Sequence, residues 1–149
     1  MKNTILLAAI ICFVALSFSN SNAQTTQSIG KVFDKDLANA VFGKIYFSHP
    51  LSKGIMKKIL ADTTGLVYFN VAKNKFKIFN KNKKPLDSDT SQPVDGETYY
   101  VFSNDKIKEL VDRSKDSTNV QLEMRGSHIT LTSGDITLEN SWICPPVCP

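Results

Sequence analysis

Residues 66–80 read LVYFNVAKNKFKIFN, and this stretch decides the fold class. Residues 66–71 are apolar at nearly every position, which is typical of a strand buried on both faces inside a sheet. Residues 76–80 alternate between apolar and polar side chains, as a half-buried strand does. The four residues between them (AKNK) are polar and suit a tight turn, so the stretch predicts a β-hairpin.

The segment before this hairpin adds a strand and a helix. Residues 44–49 (KIYFSH) are aromatic and β-branched and end at Pro50, which predicts a strand. Residues 52–61 carry one apolar stripe at helical spacing, formed by Ile55, Met56, Ile59 and Leu60. A further short helix is expected over residues 34–42, ending at Gly43.

The same order recurs after a polar loop at residues 81–96. Residues 97–103 predict a strand, 104–114 a helix capped by Ser103 or Asn104, and 120–133 a second hairpin. The positions match at an offset of 55 in the first strand and the helix, and at an offset of 53 in the hairpin. They are Phe47 with Phe102, Ile55 with Leu110, Met56 with Val111, Val67 with Val120, Phe69 with Leu122, Phe76 with Ile129 and Ile78 with Leu131.

These patterns predict two β-α-β-β units, at residues 44–80 and 97–133, with an extra strand at 136–140. The alternative is that any compact α+β chain offers such coincidences. With 149 residues and 42% apolar side chains the chain suits one small domain, which we expect over residues 24–143. We predict an α+β fold with one antiparallel sheet and two or three helices packed on one face.

Residues 1–23 predict an export signal. Lys2 precedes an apolar run at residues 5–18, which is shorter than the ~20 residues of a membrane span, and small residues precede Ala23. We expect cleavage after Ala23 and a periplasmic or secreted protein. A lipoprotein acylated at Cys12 is disfavoured, because two bulky isoleucines stand directly before that cysteine.

Two cysteines remain after this cleavage, Cys144 and Cys148, in the tail CPPVCP at residues 144–149. In an exported protein such a pair predicts a disulfide that clasps the tail locally. The alternatives are an intermolecular disulfide, a redox pair, and a metal site completed by His49 and His128. The C-x-x-x-C spacing is not the C-x-x-C spacing of thioredoxin-like redox sites.

Charge is unevenly distributed along the chain. Residues 31–84 hold twelve lysines and three aspartates, whereas 85–149 hold five basic and eleven acidic residues. Five lysines share alternate positions with Phe79, and they are Lys73, Lys75, Lys77, Lys81 and Lys83. An extended strand would project them around the ring as a basic stripe that binds a polyanion. The alternative is that these lysines guard an exposed sheet edge against aggregation.

The later strands present a polar face opposite their apolar side chains. Its members are Gln121, Glu123, His128, Thr130, Thr132, Thr137 and Glu139. Such a face is typical of the solvated side of an antiparallel sheet, and its functional alternative is a flat recognition surface.

No local motif for nucleophilic catalysis, phosphate binding or dinucleotide binding is present in the sequence. We therefore predict no cofactor and favour a small exported, non-enzymatic binding or inhibitory module. Its expected partner is a protein or an anionic glycan or lipid headgroup, recognised through a sheet or hairpin surface, and export disfavours nucleic acid. The alternatives are a thiol-redox or metal-binding protein using Cys144 and Cys148, and a small hydrolase without a local motif.

Overall fold

The chain folds into nine strands and three helices over the residues that the computed structural model describes, which are 28–62, 65–72, 75–87, 97–116, 119–139 and 141–144. In chain order they are β1 (Lys31–Asp34), α1 (Lys35–Phe42), β2 (Ile45–Pro50), α2 (Lys53–Ala61), β3 (Leu66–Ala72), β4 (Lys75–Asn80), β5 (Tyr99–Ser103), α3 (Asn104–Ser114), β6 (Gln121–Arg125), β7 (His128–Ser133), β8 (Ile136–Glu139) and β9 (Trp142–Cys144). The predicted α+β class is confirmed, and β1 and β9 are additional strands. Within these ranges no helix is long and apolar enough to cross a membrane.

The strands form two antiparallel sheets, so the prediction of one sheet was wrong. One sheet has the order β1-β8-β7-β6-β2 and the other β4-β3-β5-β9. Each sheet is built on one of the two predicted hairpins, and apolar side chains from both hairpins enter the same core. Two sheets allow each hairpin to bury its apolar face against the other and against the helices, which removes more apolar surface from water.

The two β-α-β-β units exchange their first strands. β5, from the second unit, pairs with β3 of the first hairpin, and β2, from the first unit, pairs with β6 of the second hairpin. Each sheet therefore contains strands from both units. This exchange brings β2 and β4, which belong to different sheets, to the two sides of one groove.

The hairpins of the two units share one pairing register. Ala72 lies opposite Lys75 in the first hairpin, and Arg125 lies opposite His128 in the second. Each residue pair of the second hairpin corresponds to a pair of the first hairpin with 53 added to both residue numbers, which is the predicted offset. The predicted correspondence of the hairpins is confirmed.

The first strands and helices correspond at an offset of 51, and not at the predicted 55. The Leu51 N–H bonds to the carbonyl of Val120 in the second hairpin, and Phe102 lies opposite Val67, the equivalent residue of the first hairpin. Ser52 and Ser103, the residues that follow, are the N-caps of α2 and α3. The match of Phe47 with Phe102 was therefore wrong. α3 has eleven residues and α2 nine, so the two-residue difference is extra helix in the second unit.

The main core lies between the two sheets and the helices α2 and α3. Its fully or almost fully buried members are Leu51, Met56, Ile59, Val67, Phe69, Ile78, Leu86, Phe102, Ile107, Leu110, Val120, Leu122, Ile129, Leu131 and Leu138. These residues come from both units and both hairpins, so the two sheets share one hydrophobic core.

α1 lies on the other side of the five-stranded sheet. β1 and β2 form the two edges of that sheet, so the chain between them has to cross one of its faces. Asn39 and Phe42 of α1 contact Arg125 and His128, whose side chains leave the sheet on the face away from the core. The prediction that all helices pack on one face was therefore wrong for α1.

Candidate functional site

An open groove of about 660 Å³ lies beside β4, between this strand, the N-terminal end of α2 and the end of β2. Its lining residues are His49, Leu51, Ser52, Gly54, Ile55, Lys58, Lys75, Phe76, Ile78, Leu86 and Asp87. The volume is within the range of small-molecule binding sites, about 300–1,000 Å³. The groove is therefore large enough to hold a ligand or a short peptide segment.

The chain after β4 folds back along the edge of this strand. The Leu86 N–H donates to the Ile78 carbonyl at 2.7 Å, and the Asn80 N–H donates to the Lys84 carbonyl at 3.0 Å. The Asp87 carboxylate accepts the Ile78 N–H at 3.1 Å. Residues 84–87 thus cover the C-terminal half of the β4 edge and form one end of the groove.

Two lysines stand at the rim of the groove. The Lys58 ammonium, from α2, donates to the Leu86 carbonyl at 2.9 Å, and Lys75 is exposed at the start of β4. Among the carboxylates of the described ranges, none forms an ion pair with either ammonium. Both lysines therefore line the groove without a carboxylate partner in the described ranges, and their positive charges attract an anionic group that enters it.

The N-terminal end of α2 adds to the positive potential. Ser52 is the N-cap, and its hydroxyl accepts the Ile55 N–H at 3.3 Å. Ser52 and Gly54 line the groove, so the positive end of the helix dipole lies beside it. The groove therefore combines two lysines and a helix terminus of the same sign with one carboxylate, that of Asp87.

The floor and one wall of the groove are apolar. The Phe76 ring packs edge-on against the His49 imidazole, with 4.2 Å between centroids, and lies 5.7 Å from the ring of Phe47. Leu51, Ile55, Ile78 and Leu86 complete the apolar lining. A ligand that fills this site needs an apolar portion as well as negative charge.

The predicted basic stripe around Phe79 was wrong. Phe79 is 1% exposed, and its ring packs against Tyr99 with 5.9 Å between centroids. The Lys77 ammonium lies 3.8 Å from the Glu97 carboxylate, and Lys81 lies 3.6 Å from Asp62, beyond the end of β4. The stripe therefore offers no aromatic platform to a ligand.

The remaining lysines of the stripe do not form one surface either. Lys83 is exposed in the turn after β4, where its φ is +57°, and Lys73 lies outside the described residues. Lys75 is the member that lines the groove. Phe79 is covered because a second apolar cluster occupies the outer face of the four-stranded sheet, with Ile29, Tyr68, Tyr99 and Val101.

The polar face of the later strands is buried, which corrects the prediction of a solvated face. Glu123, Thr130, Thr132, Thr137 and Glu139 are almost fully buried, and α1 lies over part of this face. Gln121 and His128 are partly exposed. The face is therefore a buried polar network and not a flat recognition surface.

Arg125 is at the centre of this network and is completely buried. Its guanidinium donates to the Glu123 carboxylate at 2.9 Å, to the Thr130 hydroxyl at 3.3 Å and to the Asn39 side chain. The Thr132 hydroxyl donates to the same Glu123 oxygen at 2.7 Å. The buried ion pair is thereby hydrogen-bonded on both sides, which a stable buried charge requires.

A second ionisable pair lies next to it. The Glu139 Oε1 atom is 3.2 Å from His128 Nδ1, and the His128 ring contacts Phe42 with 5.5 Å between centroids. Burial raises the pKa of Glu139 to about 7, while the Arg125 charge acts in the opposite direction. This carboxyl therefore changes its charge near neutral pH.

The histidines and cysteines give no metal centre in the described part of the chain. His49 lies opposite Leu122 and His128 opposite Arg125, so the two imidazoles leave the five-stranded sheet on opposite faces. No group of three potential ligands is found within the described residues. Cys144 ends β9, where its backbone lies opposite Tyr99, and Cys148 lies outside the described residues. The disulfide stays a prediction.

No protein-family model matches the sequence, and no curated protein or solved structure gives a significant match to the chain.

Proposed function

We propose that this chain is a non-enzymatic binding module that holds an anionic ligand with an apolar portion in the groove beside β4. The observation that carries the proposal is that Lys58 and Lys75, which have no carboxylate partner in the described chain, line a groove with an apolar floor. The ammonium groups would bind the anionic group and the floor would cover the apolar portion.

The chemistry of the groove suits binding more than reaction. The Asp87 carboxylate is held by the Ile78 N–H, and the Ser52 hydroxyl caps α2. These contacts use the polar groups to build the walls of the site. A general base has to reach the proton that it abstracts, and a nucleophile has to reach its base. The contacts observed in the groove support neither arrangement.

Long-range electrostatics supports the same proposal. The walls of the groove are β2, α2 and β4, and these three elements carry five lysines and no acidic residue. Such a concentration of positive charge attracts anions and increases their association rate at low salt. On the strength of the apolar run at residues 5–18, we further propose that the protein meets its ligand after export.

Removal of both rim lysines is expected to weaken binding. Octyl phosphate, which joins one anionic group to an apolar chain, is titrated into the purified chain by calorimetry. We expect Lys58→Gln with Lys75→Gln to weaken its binding by roughly tenfold or more, because a hydrogen bond to a charged group contributes about 1.5 kcal/mol.

A matched control separates the site from general charge. Lys57→Gln removes an exposed lysine next to Lys58 that does not line the groove, and it should leave the affinity within about twofold of the unaltered chain. Octanol, which lacks the charge, should bind weakly to every variant. Equal affinity of the double variant and the Lys57→Gln variant for octyl phosphate would contradict the proposed function.

A further inference from the structure

We propose that the natural ligand of the groove is an extended acidic peptide, which adds as a strand to the β4 edge at Phe76, where none of the described residues is paired. This inference rests on the proposed function and assigns a class of partner to the same site. It follows from the backbone of β4, from the segment already paired with this strand, and from the charges at the rim.

The backbone of Phe76 points to the open edge. The N–H groups of Ile78 and Asn80 and the Ile78 carbonyl bond to residues 84–87, on the side of β4 away from β3. Backbone groups of alternate residues point to the same side of a strand, so the N–H and C=O of Phe76 share this direction. Within the described ranges no residue bonds either group.

Residues 84–87 show how a strand is accepted at this edge. Pro85 lies opposite Phe79 in an antiparallel bridge, and the Leu86 N–H bonds to the Ile78 carbonyl. The next N–H group along this edge is that of Ile78. It donates to the side-chain carboxylate of Asp87 and not to a backbone carbonyl. Among the described residues, the backbone pairing of this segment ends at Ile78, two residues from Phe76, and the groove lies beside that part of the edge.

The side chains around this edge select an acidic peptide. Lys75 and Lys58 line the groove against one carboxylate, that of Asp87, and Phe76 and Ile55 provide apolar surface. Strand addition derives affinity from main-chain hydrogen bonds and specificity from pockets for alternate side chains. An acyl chain with a phosphate head would use the lysines and the floor, but it has no groups that can pair with the Phe76 backbone. The edge therefore favours a peptide.

The test compares two changes at Phe76. The probe is an acetylated and amidated hexapeptide in which Glu and Val alternate. Phe76→Ala removes the ring and keeps the N–H, whereas Phe76→Pro removes the ring and the N–H. A proline is tolerated on an edge strand where its nitrogen faces outward. We expect the Phe76→Pro variant to bind the peptide at least about fivefold more weakly than the Phe76→Ala variant does.

A change in the peptide gives the same information without altering the protein. Methylation of alternate peptide nitrogens removes the donors on one edge of the probe, and the set that faces β4 should abolish binding while the other set has little effect. Octyl phosphate lacks these donors and should bind the Phe76→Pro and Phe76→Ala variants equally.

The outcomes distinguish the two proposals. If octyl phosphate binds in a lysine-dependent way and the peptide does not bind, or if both methylated peptides bind as well as the parent, strand addition is wrong and the proposed function stands. If neither probe binds, both proposals are wrong.

Discussion

Replacement of Arg125 by Met should destabilise the protein by about 3–5 kcal/mol, the largest effect that we expect of any single substitution discussed. The guanidinium is completely buried and pairs with Glu123 at 2.9 Å. Its loss leaves a buried carboxylate with only hydroxyl donors, and it also removes the bond that ties α1 to the sheet through Asn39. The free energy of unfolding is measured by urea titration.

Two comparisons test the cause of this loss. Arg113→Met removes an exposed arginine that pairs with Glu109 across one helical turn, and it should cost less than about 1 kcal/mol. Adding Glu123→Gln to Arg125→Met removes the unpaired buried charge and should restore part of the stability. If Arg125→Met lowers the free energy of unfolding no more than Arg113→Met does, the buried ion pair between Arg125 and Glu123 does not stabilise the fold.

Replacement of Glu139 by Gln should change how stability depends on pH. Burial raises the pKa of Glu139 to about 7, above its ordinary value of 4.5. A raised folded-state pKa means that the contribution of this carboxyl is fully present below pH 4.5 and is lost as pH rises through about 7. We expect the unaltered chain to lose about 2 kcal/mol relative to Glu139→Gln between pH 5 and 9. This loss of stability is smaller than the full pKa shift of Glu139 implies, because solvent near His128 screens the carboxylate charge.

The measurement is urea unfolding at one-unit steps from pH 5 to 9 for both chains. Glu109→Gln, on the exposed face of α3, serves as the control and should follow the pH profile of the unaltered chain. Parallel profiles for Glu139→Gln and the unaltered chain would show that Glu139 does not change its charge in this range.

Local patterns predicted the elements of the fold because each pattern depends on residues close in the sequence. The alternation at residues 76–80 and the apolar stripe of residues 52–61 correspond to β4 and α2. The exchange of β2 and β5 between the units was not predicted, because strand partners depend on the packing of the whole chain. β1, with four residues, is too short to show a periodic pattern.

The candidate site was predicted only in part, for a physical reason. Alternation correctly put Lys75, Lys77 and Phe79 on one face of a strand, but it could not show that a second apolar cluster covers that face and buries Phe79. Lys58 was missed, since on α2 it is one lysine among several. Lys58 is distinguished by its hydrogen bond to the carbonyl of Leu86, which lies 28 residues later in the chain.

The buried polar network shows a second limit of pattern reasoning. Glu123, Thr132 and Glu139 alternate with apolar residues as they would on a solvated face. The covering helix α1 comes from a distant, earlier part of the chain. The sequence around its Ala38 and Asn39 does not indicate that these residues pack against a sheet. A polar face that is covered by a distant element looks the same in the sequence as one that meets water.

The central claim is that the groove beside β4 is the binding site, and amide chemical-shift mapping tests it most directly. The hexapeptide of alternating Glu and Val, and octyl phosphate in a second experiment, are added to the isotope-labelled chain at low salt. We predict that the largest shifts occur at Lys58, Lys75 and Phe76, and that all three decrease as salt rises. Shifts that are confined to the five-stranded sheet or to α1, or the absence of shifts with both probes, would contradict the account.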